Sequence, residues 1–284
     1  MKILITGAEG TLGGTLAAAF AGSETVLADM PDRDVADDEA FTARALAESP
    51  DLIVHCAEMG DVDECELDGT SAFELNENGA RNAALSAKLC GARLIALSTG
   101  YVFSGEPPRE PWAWGEGDIP RPRTVYGMSK FAGEQMIQMI YPENSVILRT
   151  DWLYGARGRD FVHTMAELGR RPGEALKVAD DRRGNPTSAA VVADVVRFLI
   201  TRPDVSGIVH ATCEDQCTRY ELARELFSLL GADRGLIPCA SAEFPHPAPR
   251  PANCALKKSV LNVLGYRTPN WRDALRDFVA EEFF

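Results

Sequence analysis

The chain has 284 residues, 45% of them hydrophobic, and a formal net charge of -13. That length and apolar content allow one large or two modest domains with a full core, which excludes a disordered or fibrous chain. The acidic balance excludes nucleic acid and anionic membranes as partners, because the overall field repels phosphate, although local arginines can still hold small anions.

Seven cysteines with no CxxC pair and four histidines with no HxxxH or HxxE spacing suggest reduced thiols and no metal site. The apolar run in MKILITGAEG is too short for a signal peptide, and no stretch approaches the ~18 apolar residues of a membrane span. A cytoplasmic protein without a membrane partner is expected.

Lys2 to Thr6 reads as a short buried strand that runs into Gly7-Ala8-Glu9-Gly10-Thr11-Leu12-Gly13 and then into Ala-rich helical residues through Phe20. Strand, glycine turn and helix N-terminus in that order make a phosphate cradle. The glycines allow close backbone approach to a pyrophosphate, and the first-turn amides favour its charge. Gly7, Glu9, Gly10, Thr11, Leu12 and Gly13 are therefore candidate dinucleotide-binding residues. The spacing is GxxGxxG rather than GxGxxG.

A second strand, Thr25 to Ala28, ends at Asp29. A carboxylate there accepts from a ribose 2′-OH and repels a 2′-phosphate, which favours NADH over NADPH, although nearby Arg33 blurs the preference. The acidic run from Asp32 to Glu39 reads as solvated loop and helix cap, with Asp34 and Val35 in reach of an adenine.

The third strand is Asp51 to Cys56, followed by a loop and a helical pattern from about Ser71 to Leu89. The fourth, Arg93 to Ser98, delivers Ser98-Thr99-Gly100-Tyr101 at its carboxyl end, where open parallel sheets bind ligands. A fifth strand spans Ser145 to Arg149. Strands alternating with helices at this interval predict an α/β fold, a Rossmann-type doubly wound parallel sheet.

Before the fifth strand, Thr124 to Glu134 sets Tyr126 and Lys130 four residues apart on one face of a helix. A free phenol ionises near pH ~10, and an adjacent ammonium brings it toward the working range of a proton donor. The Pro- and Trp-rich segment Glu106 to Pro122 is long for a loop and reads either as a substrate-covering flap or as a packed excursion. Beyond Arg149 short elements follow: helices near 161–168, 189–200, 219–230 and from about 270, and a strand near 176–178. Their loose spacing and Pro-rich turns predict a smaller C-terminal α/β lobe, which the resemblance described below would make the substrate-binding lobe.

The glycine triplet, Asn76-Glu77-Asn78-Gly79, Ser98-Thr99 and Tyr126-x-x-x-Lys130 together resemble an extended short-chain dehydrogenase/reductase. Within that superfamily the stretches STGYVFSG, VYGMSKFAGE, LRTDWLYG, DDRRGNPTSA and RPANCALKKSVL resemble the dTDP-4-dehydrorhamnose reductase family. The resemblance covers essentially the whole chain.

It implies an NAD(P)H-dependent oxidoreductase that reduces the 4-keto group of a nucleotide-linked deoxysugar. Tyr126 would be proton donor, Lys130 its tuner and a ligand of the nicotinamide ribose, and Thr99 a second donor to the same oxygen. Cys56, Ala57, Glu58 and Asn76 would complete the cofactor site, and Ser98, Tyr101, Val102, Trp152 and Arg250 the substrate site, with Arg250 toward the pyrophosphate. Residues 1–153 plus 177–211 would form the NAD(P)-binding domain and 154–176 plus 212–284 the substrate lobe. The resemblance also allows a homodimer and a magnesium ion, for which the sequence offers no ligand cluster.

Three departures stand out: Gly100 where the family usually has Asp, Ala57-Glu58-Met59-Gly60 where it has Ala-Ala-aromatic-Thr, and Lys257 where it has an acid. They suggest a changed substrate more than a lost activity. A nucleotide-sugar 4-epimerase, or a non-catalytic NAD(P)-binding subunit like the regulatory subunit of methionine adenosyltransferase, are the rival readings.

Overall fold

The computed structural model describes residues 1–29, 35–106 and 112–284. Its centre is a six-stranded parallel sheet, because runs such as Ile3-Leu4-Ile5 and Leu52-Ile53-Val54 are apolar on both faces and need cover on both. The strands are β1 (Lys2–Thr6), β2 (Glu24–Ala28), β3 (Leu52–His55), β4 (Arg93–Thr99), β5 (Ser145–Thr150) and an edge strand, Gly207–His210. From that edge the order is Gly207–His210, β5, β4, β3, β1, β2, and every pairing is parallel.

The direction of winding reverses between β1 and β3. A crevice opens there at the carboxyl ends of the strands.

Helices cover both faces. On one, Leu12 and Leu16 of α1 (Thr11–Ala19) pack with Val192, Val195, Val196 and Leu199 of the helix Ala189–Ile200 against Ile3, Ile5 and Val54. On the other, Phe41 and Ala45 of α2 (Asp38–Glu48) pack with Ala80, Ala83, Ala84 and Ala87 and with Ile137 against Leu4, Ile53 and Leu94. The alanines let the helices sit close to the sheet.

The helical pattern expected over 71–89 is three pieces in line: α4 (Gly69–Phe73), a π-helical turn Glu74–Asn78, and α5 (Gly79–Cys90), preceded by the short α3 (Val62–Leu67). The π turn carries Asn76 inward. Its side chain accepts from the Met59 amide at 2.8 Å and donates to the Met59 carbonyl at 3.2 Å and to Ser129 at 2.9 Å, so it holds the loop after β3 against α6 (Val125–Ile140).

A separate apolar cluster surrounds Trp271, Leu275, Leu226, Phe227 and Met165. The strand Leu176–Ala179 pairs with Leu236–Cys239 outside the large sheet, and Val178 joins this second cluster. That strand therefore packs with the second cluster, outside the large sheet.

Within the segment 106–122, residues 107–111 lie outside the described residues. Trp114 stacks on Phe103 at 4.6 Å, its amide donates to the Ala255 carbonyl and its indole N–H to the Asn253 carbonyl. The described part is a packed excursion pinned to the C-terminal lobe, and none of its residues faces the crevice.

One buried ion pair ties α6 to the sheet. Glu134 accepts two bonds from Arg149 on β5, at 2.7 and 2.6 Å, and a third from Ser98 on β4 at 2.5 Å, with both charged side chains almost fully buried. Removing one partner leaves the other charge buried and uncompensated. Glu134→Ala should cost about 3–5 kcal/mol of stability, read as a lower urea midpoint, with unchanged unfolding stability as the result that would count against it.

Candidate active site

The crevice is a cleft of about 640 Å³ floored by the ends of β1, β3, β4 and β5. At one end sits the glycine turn. Gly7 has φ +65°, and a Cβ there would come within 2.6 Å of the Ala57 amide nitrogen. A Cβ on Gly13 would overlap the Gly7 carbonyl. The α1 N-cap is Gly10, with no side chain capping the helix, so the first-turn amides point into the cleft as an anion cradle. Asp29 lies beside it and accepts from the Glu9 amide at 2.6 Å.

At the other end α6 begins. Thr124 caps it by accepting from the Gly127 amide, and a Cβ on Gly127 would run into the Tyr101 carbonyl, so the helix starts hard against the end of β4. That contact brings Tyr126 beside Thr99 and Tyr101, whose rings meet edge to face at 5.7 Å between Tyr101 and Tyr126.

Lys130 is buried, and its Nζ lies 2.8 Å from Glu58 Oε2. The Tyr126 hydroxyl donates to the same oxygen at 3.2 Å. Burial, then the Glu58 charge, pushes the Tyr126 phenol well above its ordinary value, with the Thr99 hydroxyl pulling the other way. Lys130, expected to lower the phenol, is paired with Glu58 in this arrangement.

Most of the expected residues converge. Gly7, Glu9, Gly10, Thr11, Leu12, Gly13, Asp29, Val35, Cys56, Ala57, Glu58, Ser98, Thr99, Tyr101, Tyr126 and Trp152 all line the cleft. Asp34 and Arg33 lie outside the described residues.

Four of the expected residues, Lys130, Val102, Asn76 and Arg250, are not part of the cleft lining. Val102 is fully buried against Phe103, Trp114 and Leu256 and does not reach the cleft. Asn76 acts from behind, through the Met59 loop. Arg250 is held by Asp63 at 2.7 Å, away from the cleft lining, because Asp63 offers it a carboxylate at the start of α3.

Gly100 also reads differently in three dimensions. A Cβ there would lie 2.8 Å from the Cys254 carbonyl, so the glycine permits close packing of the C-terminal segment.

Five charged residues of the lining were missed, Asp61, Asp151, Arg159, Asp160 and Arg219, and two of them bear on the chemistry. Asp151 follows β5, accepts from the Asn185 amide at 3.0 Å, and has its Oδ1 buried without a hydrogen-bond partner. The carboxyl-end rule that picked out Ser98 and Thr99 applies equally to it. Arg219, in contrast, opens the helix Arg219–Leu230 some seventy residues later, and no local signal marks it. Its guanidinium lies 3.7 Å from the Trp152 ring centroid and 4.7 Å from that of Phe161, and the residue lines the cleft.

Among the described residues no group of three His, Cys, Asp or Glu side chains converges as a cation site, and no helix is long and apolar enough to cross a membrane.

The sequence matches the RmlD substrate binding domain family over residues 1–283. The chain belongs to this family. Among curated relatives of this RmlD-family chain, a probable dTDP-4,6-dihydroxy-2-methyloxan-3-one 4-ketoreductase of Streptomyces antibioticus is 39% identical, covering 98% of this chain and 94% of its own. A dTDP-4-dehydrorhamnose reductase structure from Clostridium acetobutylicum superposes with TM-score 0.94 at 35% identity, covering 99% of both chains. A Bacillus anthracis dTDP-4-dehydrorhamnose reductase in complex with NADP does so with TM-score 0.94 at 32% identity, again over 99% of both. The RmlD-family fold is thus shared.

Burial raises the Asp151 carboxyl to about 8, against backbone hydrogen bonds and the Arg219 charge that favour its ionised form. The folded value lies above the unfolded one, near ~3.9, so this group's contribution is fully present below pH ~4 and lost as pH rises toward 8. Asp151→Asn keeps an oxygen for the Asn185 amide and removes that loss. Its urea midpoint should fall less than wild type's between pH ~5 and ~8; parallel pH profiles would contradict the assignment.

Proposed function

We propose that this chain uses NADH or NADPH to reduce the 4-keto group of a nucleotide-linked deoxysugar to an alcohol. The observation that carries the reading is the meeting of Tyr126 and Thr99 with the glycine cradle in one cleft of an RmlD-family fold.

The cradle fits a dinucleotide because its atoms leave no room for side chains at Gly7 and Gly13 and its helix amides are uncapped. Gly7, Gly10 and Gly13 would hold the pyrophosphate, Asp29 the adenosine ribose, and Cys56 and Ala57 the floor beneath. Reduced nicotinamide, when bound, supplies the hydride.

The rest is done by this chain's side chains. Tyr126 O–H donates its proton to the carbonyl oxygen as charge develops there, and the Thr99 hydroxyl steadies the same oxygen. Lys130, buried below, holds the phenol and its surroundings in place. Trp152 offers an aromatic face toward the sugar, and Arg219, which lines the cleft together with Arg159, suits an anionic phosphate. The nucleotide half of the substrate then lies toward the smaller lobe.

The reading is tested by following NADH and NADPH oxidation with enzymatically prepared dTDP-4-keto-L-rhamnose. Wild type should turn over, and Tyr126→Phe, which keeps the ring and loses the proton, should lower kcat by roughly 10²–10⁴. Absence of turnover despite nucleotide binding by fluorescence would sink the reading.

We further propose a preference for NADH, since the Asp29 carboxylate stands at the end of β2 and would repel a 2′-phosphate. Asp29→Asn should then raise kcat/KM for NADPH relative to NADH; an unchanged ratio would exclude Asp29 as the discriminator.

A further inference from the structure

The loop after β3 brings a third ionisable group to the tyrosine and lysine. Glu58 is partly exposed, with one oxygen shared between the Lys130 ammonium at 2.8 Å and the Tyr126 hydroxyl at 3.2 Å. The loop is fixed in that position. Asn76 bonds both the amide and the carbonyl of Met59, and Cys65 donates to the same carbonyl.

The charges around this oxygen are sparse and mostly of one sign. From α6 come Lys130 and Tyr126, from the end of β4 Tyr101 and Thr99, and from the end of β3 the neutral, fully buried His55 and the Cys56 thiol. From α3 and the turn before it come Cys65, Asp61 and Glu64, the last two adding negative charge. Lys130 is the only cation paired with Glu58 among the described residues.

A lysine beside a phenol favours the phenolate only while its charge is uncompensated. Here Glu58 compensates it and also accepts the phenol's hydrogen bond, which favours the protonated phenol twice over. We propose that Glu58 is a positioning residue that keeps Tyr126 in its protonated, donating form, so that the site meets a carbonyl substrate ready to give a proton and is poorly prepared to take one from an alcohol. This rests on Tyr126 being the proton donor of the reduction above.

In the step itself the Tyr126 O–H bond breaks and its proton passes to the carbonyl oxygen while hydride adds to the carbonyl carbon. Glu58 exchanges no proton. The resulting phenolate faces a carboxylate, which favours its recovery of a proton from solvent before the next cycle.

The direct readout is the ionisation of Tyr126 followed by ultraviolet phenolate absorbance against pH, with no nucleotide or sugar added. Wild type, Glu58→Gln and Glu58→Ala would each be titrated beside the same chain carrying Tyr126→Phe, and the difference isolates the one tyrosine. Glu58→Gln keeps the shape of the side chain, so a fold lost in the alanine variant would not stop the test.

Tyr126 should ionise at least ~1 pH unit lower in both Glu58 variants than in wild type. The basic limb of kcat/KM for keto-sugar reduction should fall by the same interval. A Tyr126 titration that stays where it is in both variants would overturn the proposal. A shift in titration without turnover by any form would support the role of Glu58 at the phenol and count against the reaction proposed above, so the two readings fail separately.

Discussion

The ion pair of Glu134 with Arg149 sets the geometry on which the cleft depends. It joins the middle of α6 to β5, and through Ser98 to β4, at a depth where water cannot share the charges. Such a pair adds little net stability over well-packed apolar residues, but it does fix one register. With Glu134 held at that point, the first turn of α6 brings Tyr126 to the cleft, and Lys130 is buried one turn further along. The glycines on either side of this arrangement serve the same end: Gly133 lets the helix meet the Asn76 backbone, and Gly127 lets it meet Tyr101.

Electrostatics inside the cleft then follow from burial rather than from the chain's acidic balance. His55 is neutral, held to about 3 by desolvation and by the nearby Lys130, and its ring bonds Thr6 beneath the glycine turn. Asp151 sits with a buried oxygen opposite Arg219. Glu58 and Lys130 neutralise one another at the catalytic end. The Arg219 guanidinium stacks on the cleft's Trp152 and feels both Asp151 and Tyr101.

Much of this was legible in the linear chain. The strands β1 to β5 announce themselves as short runs of Ile, Leu and Val, and the glycine turn and the Tyr-x-x-x-Lys helix carry their meaning in local spacing. What escaped is non-local. The edge strand Gly207–His210 is four residues long and becomes a strand by pairing with β5. Arg219 reaches Trp152 across some seventy residues of chain. Arg250, which the family resemblance pointed toward the pyrophosphate, pairs in the structure with Asp63, nearly two hundred residues earlier.

By itself the sequence determined the class of fold and the family, and it marked the glycine turn and the Tyr126 helix as places to look, because each depends on side-chain type at short spacing, where backbone geometry alone sets who faces whom. The tertiary structure alone decided which charges meet. Whether Lys130 tunes Tyr126 or pairs with Glu58, whether Gly100 marks a missing carboxylate or a close contact with Cys254, and which arginine faces the cleft all turn on distances between distant segments. Coulombic and hydrogen-bond energies fall off over a few ångströms, and spacing along the chain carries no information about separations of that kind.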